Sequence, residues 1–196
     1  MHINNDGLLI IKESEGLSLK AYKCPAGVWT IGYGHTGKDV KKGMVITEEK
    51  ATDLLKSDIA RFEKHVSVYN KIYGFTSNEF SALVSFAYNI GSITGLTGNG
   101  TRTKAMIANK MLEYCYAGGK KLNGLYKRRQ KERKLFLKKN NEYEVTGNLV
   151  RIRSGNTLDS GIITTVNTGT KVTVEEKSGD FYKISAYISK KYLKEI

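Results

Sequence analysis

Apolar residues recur at steps of three and four up to about Asn141, and at steps of two beyond it. Asn5 or Asp6 is placed to cap a short helix carrying Leu8, Leu9, Ile11 and Lys12, which Gly16 stops. Thr47 opens a longer helix with Glu48 and Glu49 in its first turn. Its apolar stripe is Ala51, Leu54, Leu55, Ile59, Phe62 and Val66. Thr76 and Glu79 form a capping box ahead of Phe80, Leu83, Val84, Ala87 and Ile90, and Gly91 ends that helix. A weaker helical pattern runs from about Thr103 to Cys115, and a very basic one begins near Asn123. Between the first helix and Thr47, "LSLKAYK" alternates and "VWTIGYGH" is β-branched and aromatic, so two or three short strands are expected there.

After "NNEY" the runs "LVRIRSG", "GIITTV", "TKVTVEE", "DFYKIS" and "AYIS" read as short strands bounded by Gly, Asn, Asp and Ser, a pattern that predicts a small barrel. The expected fold is therefore α+β: a mainly helical domain with a small sheet over residues 1–141, then an all-β domain over residues 142–196. Charge shifts at the same place. Residues 143–196 hold eight Lys/Arg and six Asp/Glu; taking that +2 from the formal +13 of the chain leaves +11 on residues 1–142. A charge of that size predicts attraction to a polyanion, whether nucleic acid, an anionic membrane or an anionic cell wall.

An apolar fraction of 40% with 26% charged residues describes an ordinary globular chain. Cys24 and Cys115 do not make a disulfide framework, and with His2, His35 and His65 they show no ligand spacing, so two free thiols and no metal or other cofactor are expected. The only early apolar run, Leu8–Ile11, turns charged without a small-residue cleavage site, and no stretch approaches the roughly 18 apolar residues of a membrane span. The expectation is a monomer made in the cytoplasm without a signal peptide and without membrane insertion.

The rarest residues crowd into "CPAGVWTIGYGH", residues 24–35, which holds the only proline and the only tryptophan. Just upstream, Glu15 sits where the first helix stops. Helix-end carbonyls and partial burial both disfavour a carboxylate, which makes Glu15 a candidate proton donor of the kind glycoside hydrolysis needs; alone, it is equally a solvated helix-end glutamate. His35 reads as a sheet-holding residue and Trp29 as core.

The stretch "EGLSLKAYKCPAGVWTIGYGHTG" resembles the opening of the phage-type lysozymes, the endolysins of glycoside hydrolase family 24. These carry a Glu ending the first helix, a second residue nine positions on, a Thr six beyond that, and a Thr-Ile-Gly-Tyr-Gly-His run. Here these are Glu15, Cys24, Thr30 and "TIGYGH" at Thr30–His35. The resemblance continues through "GMVITEEKA", "SALVSFAYNIG" and "GGKKLNGLYKRRQKERKLFL". It implies that Glu15 protonates the glycosidic oxygen between N-acetylmuramic acid and N-acetylglucosamine, and that Thr30 positions the attacking water. The middle position, often Asp, is Cys24 here. Its thiol is a water-activating base, a nucleophile or a bystander, and the residues leave all three open. Tyr33, Asn89 and Arg128 are candidate substrate contacts. The piece "SITGLTGNGTRTKAMIANKML" departs from the family pattern.

The last third resembles bacterial SH3-like wall-binding domains, through "VRIRSG", "GTKVTVEEKSGDFYKI" and "YISKKYL". This resemblance implies peptidoglycan as the partner and makes Arg151, Arg153, Tyr182, Tyr187 and Tyr192 candidate wall-binding residues. An enzyme and a wall-binding module would share one polymer, acting on the wall after release from the cytoplasm. The rivals are a nucleic-acid-binding protein, which explains the charge but neither Glu15, Cys24 and Thr30 nor the barrel, a non-catalytic wall binder disabled at Cys24, and a lytic transglycosylase. No specific nucleic-acid recognition is expected.

Overall fold

The computed structural model describes residues 1–139, 142–174, 176–184 and 187–195. The chain divides into two compact units, Met1–Lys138 and Lys139–Ile196. The expected strand positions Glu175, Ser185 and Ala186 lie outside the described residues.

The first unit is helical with a small antiparallel sheet. Helix α1 (Asn5–Glu15) leads into β1 (Ser18–Lys23), β2 (Trp29–Gly32) and β3 (His35–Thr36). Then come α2 (Glu48–Tyr73), α3 (Ser77–Ile90), a short α4 (Thr94–Thr97), α5 (Lys104–Met111), a two-residue hairpin of β4 (Tyr116–Ala117) and β5 (Lys120–Lys121), and α6 (Asn123–Leu137). The expected starts recur as side-chain caps. Thr47 accepts from Lys50 N, Thr103 from Met106 N, and Thr76 and Glu79 complete a reciprocal capping box. The first cap is Asn4 rather than Asn5 or Asp6; its side chain accepts from Gly7 N.

Helix α3 is the axis of this unit. Phe80 to Ala87 are all buried, because α1, α2 and α6 pack round it. Its small serines let neighbours come close: Ser81 and Ser85 are fully buried and both spend their hydroxyls in hydrogen bonds, Ser81 to Ser77 O and Ser85 to Glu132. Ala51, Leu55, Ile59, Phe62 and Val66 of α2 face this core as the stripe predicts; Leu54 is only half-buried, and Tyr69 extends the stripe. The "SITGLTGNG" piece makes α4 and a turn, with Ile93, Leu96 and Thr97 buried beneath it.

The second unit is all β. One sheet orders β10 (Glu176–Ser178), β11 (Phe181–Lys183), β12 (Tyr187–Ser189), β7 (Val150–Arg153) and β8 (Ile162–Val166). The other orders β13 (Leu193–Glu195), β6 (Glu142–Val145) and β9 (Lys171–Thr173). Every described pairing is antiparallel. Tyr143, Val145, Val150, Ile152, Val174, Tyr182 and Ile188 fill the space between them.

Candidate active site

The site is built where α1 hands over to the hairpin. Helix α1 stops at Glu15 because Gly16 follows at φ 74°, a left-handed value that favours glycine, and returns its N–H to Lys12 O at 3.1 Å. Two residues later β1 begins. In its register with β2, Ser18 lies opposite Gly32 and Tyr22 opposite Thr30. Four steps of β1 thus span two of β2, a bulge that bends the strand. Gly32, two residues after Thr30 on β2, pairs with Ser18, three residues beyond Glu15. Gly32 itself is buried against α2, where an added Cβ would meet Ala51 Cβ at 3.3 Å. Its close approach is to protein.

Cys24 opens the turn of the hairpin. Its N–H donates to Val28 O at 3.0 Å and its carbonyl accepts from Gly27 N at 2.7 Å. Hydrogen bonds from the backbone of Val28 and then Ala26 pull the Cys24 thiol below its usual value; desolvation opposes them, and the Thr30 side chain adds to the pull. Thr30 is 4% exposed, and its hydroxyl also reaches Val28 O at 3.2 Å. The structure therefore brings Cys24 and Thr30 together. Cys24 is half-buried, Cys115 is buried, and both are free thiols.

Glu15 is partly buried, as expected, but it is also held by a cation. Its side chain is 27% exposed, and Oε1 accepts from Arg128 Nη1 at 2.7 Å. Its other oxygen accepts no hydrogen bond among the described residues. Tyr88 lies near it on α3. Burial pushes the Tyr88 phenol up to about 12, and the negative charges of Glu15 and Asp58 add to that. The ring therefore stays a neutral donor, and its hydroxyl is given to Tyr33 O at 3.2 Å.

The remaining sequence candidates fall into two groups. Arg128 is 5% exposed and fully engaged: besides Glu15 it donates to Glu132 Oε1 at 3.1 Å and to Ser85 O at 3.2 Å. It grips the candidate acid and does not offer itself to substrate. Tyr33 is 5% exposed and sits in the core, its hydroxyl donating to Glu48 at 3.3 Å with Lys12 Nζ 5.0 Å from its ring centroid. Asn89 is exposed at the end of α3, with Oδ1 accepting from Arg129 Nη2 at 3.1 Å. His35 bonds Asp58 at 2.8 Å through Nδ1 and Asp39 at 3.2 Å through Nε2, joining the sheet to α2. Trp29 is half-buried under Lys23, whose Nζ is 5.6 Å from the ring.

In the second unit a cavity of about 800 Å³ is lined by Leu149, Arg151, Arg153, Phe181, Lys191 and Tyr192, among others. Arg151 is exposed; Arg153 is 9% exposed and donates to Ser160 O at 2.7 Å. Tyr182 is 5% exposed and packs on Tyr143, ring centroids 5.0 Å apart, so its ring belongs to the barrel core. The Tyr187 side chain lies outside the described residues.

The residue that sequence reasoning missed is Glu132. It is fully buried and touches both Arg128 and Arg129. Its signal was present: a single glutamate in the run "KRRQKERK", placed three and four positions after the two arginines, the spacing at which helix side chains meet. Among the described residues no three His, Cys, Asp or Glu side chains gather as a metal site.

A helical body in which a helix-ending carboxylate is followed by a short hairpin is the frame of the lysozyme-type glycoside hydrolases, and known proteins share the fold. Residues 12–132 match the model of the phage lysozyme family, and the chain belongs to that family. Residues 147–194 match the bacterial SH3 domain. The endolysin of Bacillus phage B103 is 40% identical over 193 residues, covering 89% of this chain and 72% of that protein. The endolysin of Salmonella phage P22 is 37% identical over 146 residues, 70% of this chain and 99% of that protein. The crystal structure of a P22 lysozyme mutant superposes with a TM-score of 0.62 at 36% identity, covering 70% of this chain and 99% of that one. The muramidase domain of SpmX from Asticaccaulis excentricus gives 0.61 at 34% identity, 71% of this chain and all of that one. The chain is a peptidoglycan hydrolase of the lysozyme type, with a bacterial SH3 domain after the catalytic domain.

Proposed function

We propose that this chain is an N-acetylmuramidase that cleaves the β-1,4 bond between N-acetylmuramic acid and N-acetylglucosamine, with Glu15 as general acid. The observation that carries the reading is the Glu15–Arg128 contact at 2.7 Å. A nearly buried guanidinium fixes one carboxyl oxygen and leaves the other to deliver a proton to the leaving O4. Water attacks C1 as the C1–O4 bond breaks. Its proton passes to the Cys24 thiolate; the thiol then releases that proton to solvent and solvent returns one to Glu15, so both groups are restored. The depressed thiol favours this base role over a bystander, and Thr30, bonded into the same turn, holds the water.

The SH3 domain is the wall-binding module in this reading. Arg151, Arg153 and Tyr192 line one cavity there, which takes part of the same polymer. The chain acts as a monomer on the wall after release from the cytoplasm, and its positive charge attracts acidic wall polymers without recognising nucleic acid. No helix among the described residues is long and apolar enough to cross a membrane.

Clearing of a peptidoglycan suspension tests the proposal. Glu15→Gln keeps the shape and the Arg128 hydrogen bond but cannot deliver a proton, so clearing falls about 10²–10⁴-fold. Clearing at the parental rate by a folded Glu15→Gln protein removes Glu15 from the role. Mass spectrometry of the digest shows reducing muramic acid ends for hydrolysis; anhydro-sugar ends make the chain a lytic transglycosylase.

A further inference from the structure

Beneath the candidate acid lies a buried group of charges that the mechanism above does not use. Glu132 is wholly inaccessible, and its Oε1 is the acceptor for three donors on two helices: Ser85 Oγ of α3 at 2.8 Å, Arg129 Nη2 at 3.0 Å and Arg128 Nε at 3.1 Å. Its Oε2 faces Arg129 Nε at 2.8 Å without hydrogen-bond geometry. Each arginine then reaches outward with one further contact, Arg128 through a different nitrogen and Arg129 through the same Nη2 that bonds Glu132. Arg128 Nη1 ends on Glu15 Oε1 at 2.7 Å, and Arg129 Nη2 ends on Asn89 Oδ1 at 3.1 Å. Arg129 is also fixed from the side, its guanidinium 4.6 Å from the centroid of the Phe86 ring.

Three charges in a core contribute little net stability, because desolvation offsets their attraction; apolar replacements of such groups are often neutral or better. Burial pushes the Glu132 carboxyl up, opposed by Arg129, Arg128 and the Ser85 hydrogen bond; burial also pushes the Arg129 guanidinium down, with the neighbouring Arg128 charge adding to it and Glu132 opposing it. What the arrangement does supply is direction. Arginine carries its donors in a rigid planar fork, so fixing one edge of the fork fixes the other. One carboxylate thereby sets the aim of both forks at once.

We infer that Glu132 is a positioning residue for the reaction: through Arg128 it orients Glu15, and through Arg129 it orients Asn89, so that proton donor and substrate contact keep a fixed mutual placement. The inference rests on the reading of Glu15 as the acid. The two arms predict different kinetic signatures. Loss of aim at Glu15 lowers kcat, whereas loss of aim at Asn89 raises KM.

The test uses the full chain and a soluble peptidoglycan glycan fragment as substrate. In Glu132→Gln, kcat falls about tenfold to a hundredfold, the scale of a misplaced reacting group, and KM rises. The Arg128→Met background removes the first arm: adding Glu132→Gln there leaves kcat unchanged while KM still rises. The Arg129→Met background does the converse. A merely structural role would lower the active fraction equally in every background and leave KM alone. Should Glu132→Gln not fold, Ser85→Ala removes one of the three donors without changing charge and is read by the same split. The inference is overturned by a folded Glu132→Gln with kcat and KM within twofold of the parent, or by a kcat loss that persists undiminished in Arg128→Met. Glu15→Gln in the same assay separates the two proposals: if it stays active the acid assignment fails, whereas an inactive Glu15→Gln beside an unaltered Glu132→Gln defeats the positioning inference alone.

Discussion

Cys24 stands where the family often has Asp, and the chemistry of the swap turns on one proton. A thiol ordinarily loses it near pH 8.5, too high for a base at neutral pH. The turn of the hairpin lowers that value, because hydrogen bonds from the backbone of Val28 and Ala26 favour the sulfur's anion. The sign follows directly. The base must be ionised to work, so the acid limb of the rate profile lies below the ordinary thiol value, and alkylation of Cys24 by iodoacetamide follows the same midpoint. Cys24→Asp, which keeps an anion in place, retains activity within about tenfold, while Cys24→Ser, whose hydroxyl does not ionise, loses about a hundredfold, the low end for removal of a general base. A Ser variant as fast as the parent would return the thiol to plain packing. The serine comparison is informative because the side chain is half-buried and close in size, so packing changes little.

At the scale of elements, His35 joins β3 to α2, and its link depends on pH. Burial disfavours the imidazolium, but the hydrogen bonds and charges of Asp58 and Asp39 outweigh it, so the folded value is raised. Stability from the pair is then complete below the unfolded value of about 6.5 and is lost as pH rises through the folded one. Asp39 is held below its usual range by His35, so its share is present above about pH 3.9 and lost as pH falls through the folded value. The first unit should therefore be most stable near pH 4–6.5, relative to His35→Asn. The link appears as a small Tm difference from His35→Asn that closes by pH 9; a difference that persists unchanged at high pH shows that charge is not involved. This link was legible in the sequence only as a role for His35, because Asp58 lies 23 residues away. The helices were more legible: Thr47, Thr76 and Thr103 each announce a start by local chemistry, and the structure uses all three as caps. Glu15 stood out as the end of the first helix, and Cys24 and Thr30 only through the spacing shared with the phage-type lysozymes. Tyr33 and Tyr182 did not separate into core or surface, since a tyrosine has an apolar body and a polar tip, and only packing decides which end is used. Arg128 reads from the sequence as a candidate substrate contact, because the basic run of α6 gives no sign that this one cation is buried. Its burial follows from meeting Glu15, 113 positions away, and no local pattern encodes that meeting.

On the scale of the whole molecule, the two units divide the labour of one polymer. The catalytic unit must find a bond repeated along an insoluble wall. A second binding unit on the same chain raises the effective concentration of that bond without touching the chemistry. In the proposed function two forces draw the chain to the wall, the +11 on residues 1–142 and the SH3 domain itself. They differ in salt dependence, since charge attraction beyond about 10 Å is screened at 0.1 M ionic strength whereas a shaped pocket persists. Truncation after residue 142 should therefore leave cleavage of a short soluble glycan within about twofold of the parent, while pull-down on intact walls falls about 10²-fold, the low end of the avidity range. At low salt the truncated chain regains part of its binding through charge; at 0.3 M it should not. Walls stripped of their acidic polymers complete the comparison: the full chain still binds them and the truncated chain does not. Equal losses on wall and soluble substrate would mean that residues 143–196 support the fold of the catalytic unit, and the division of labour would be wrong.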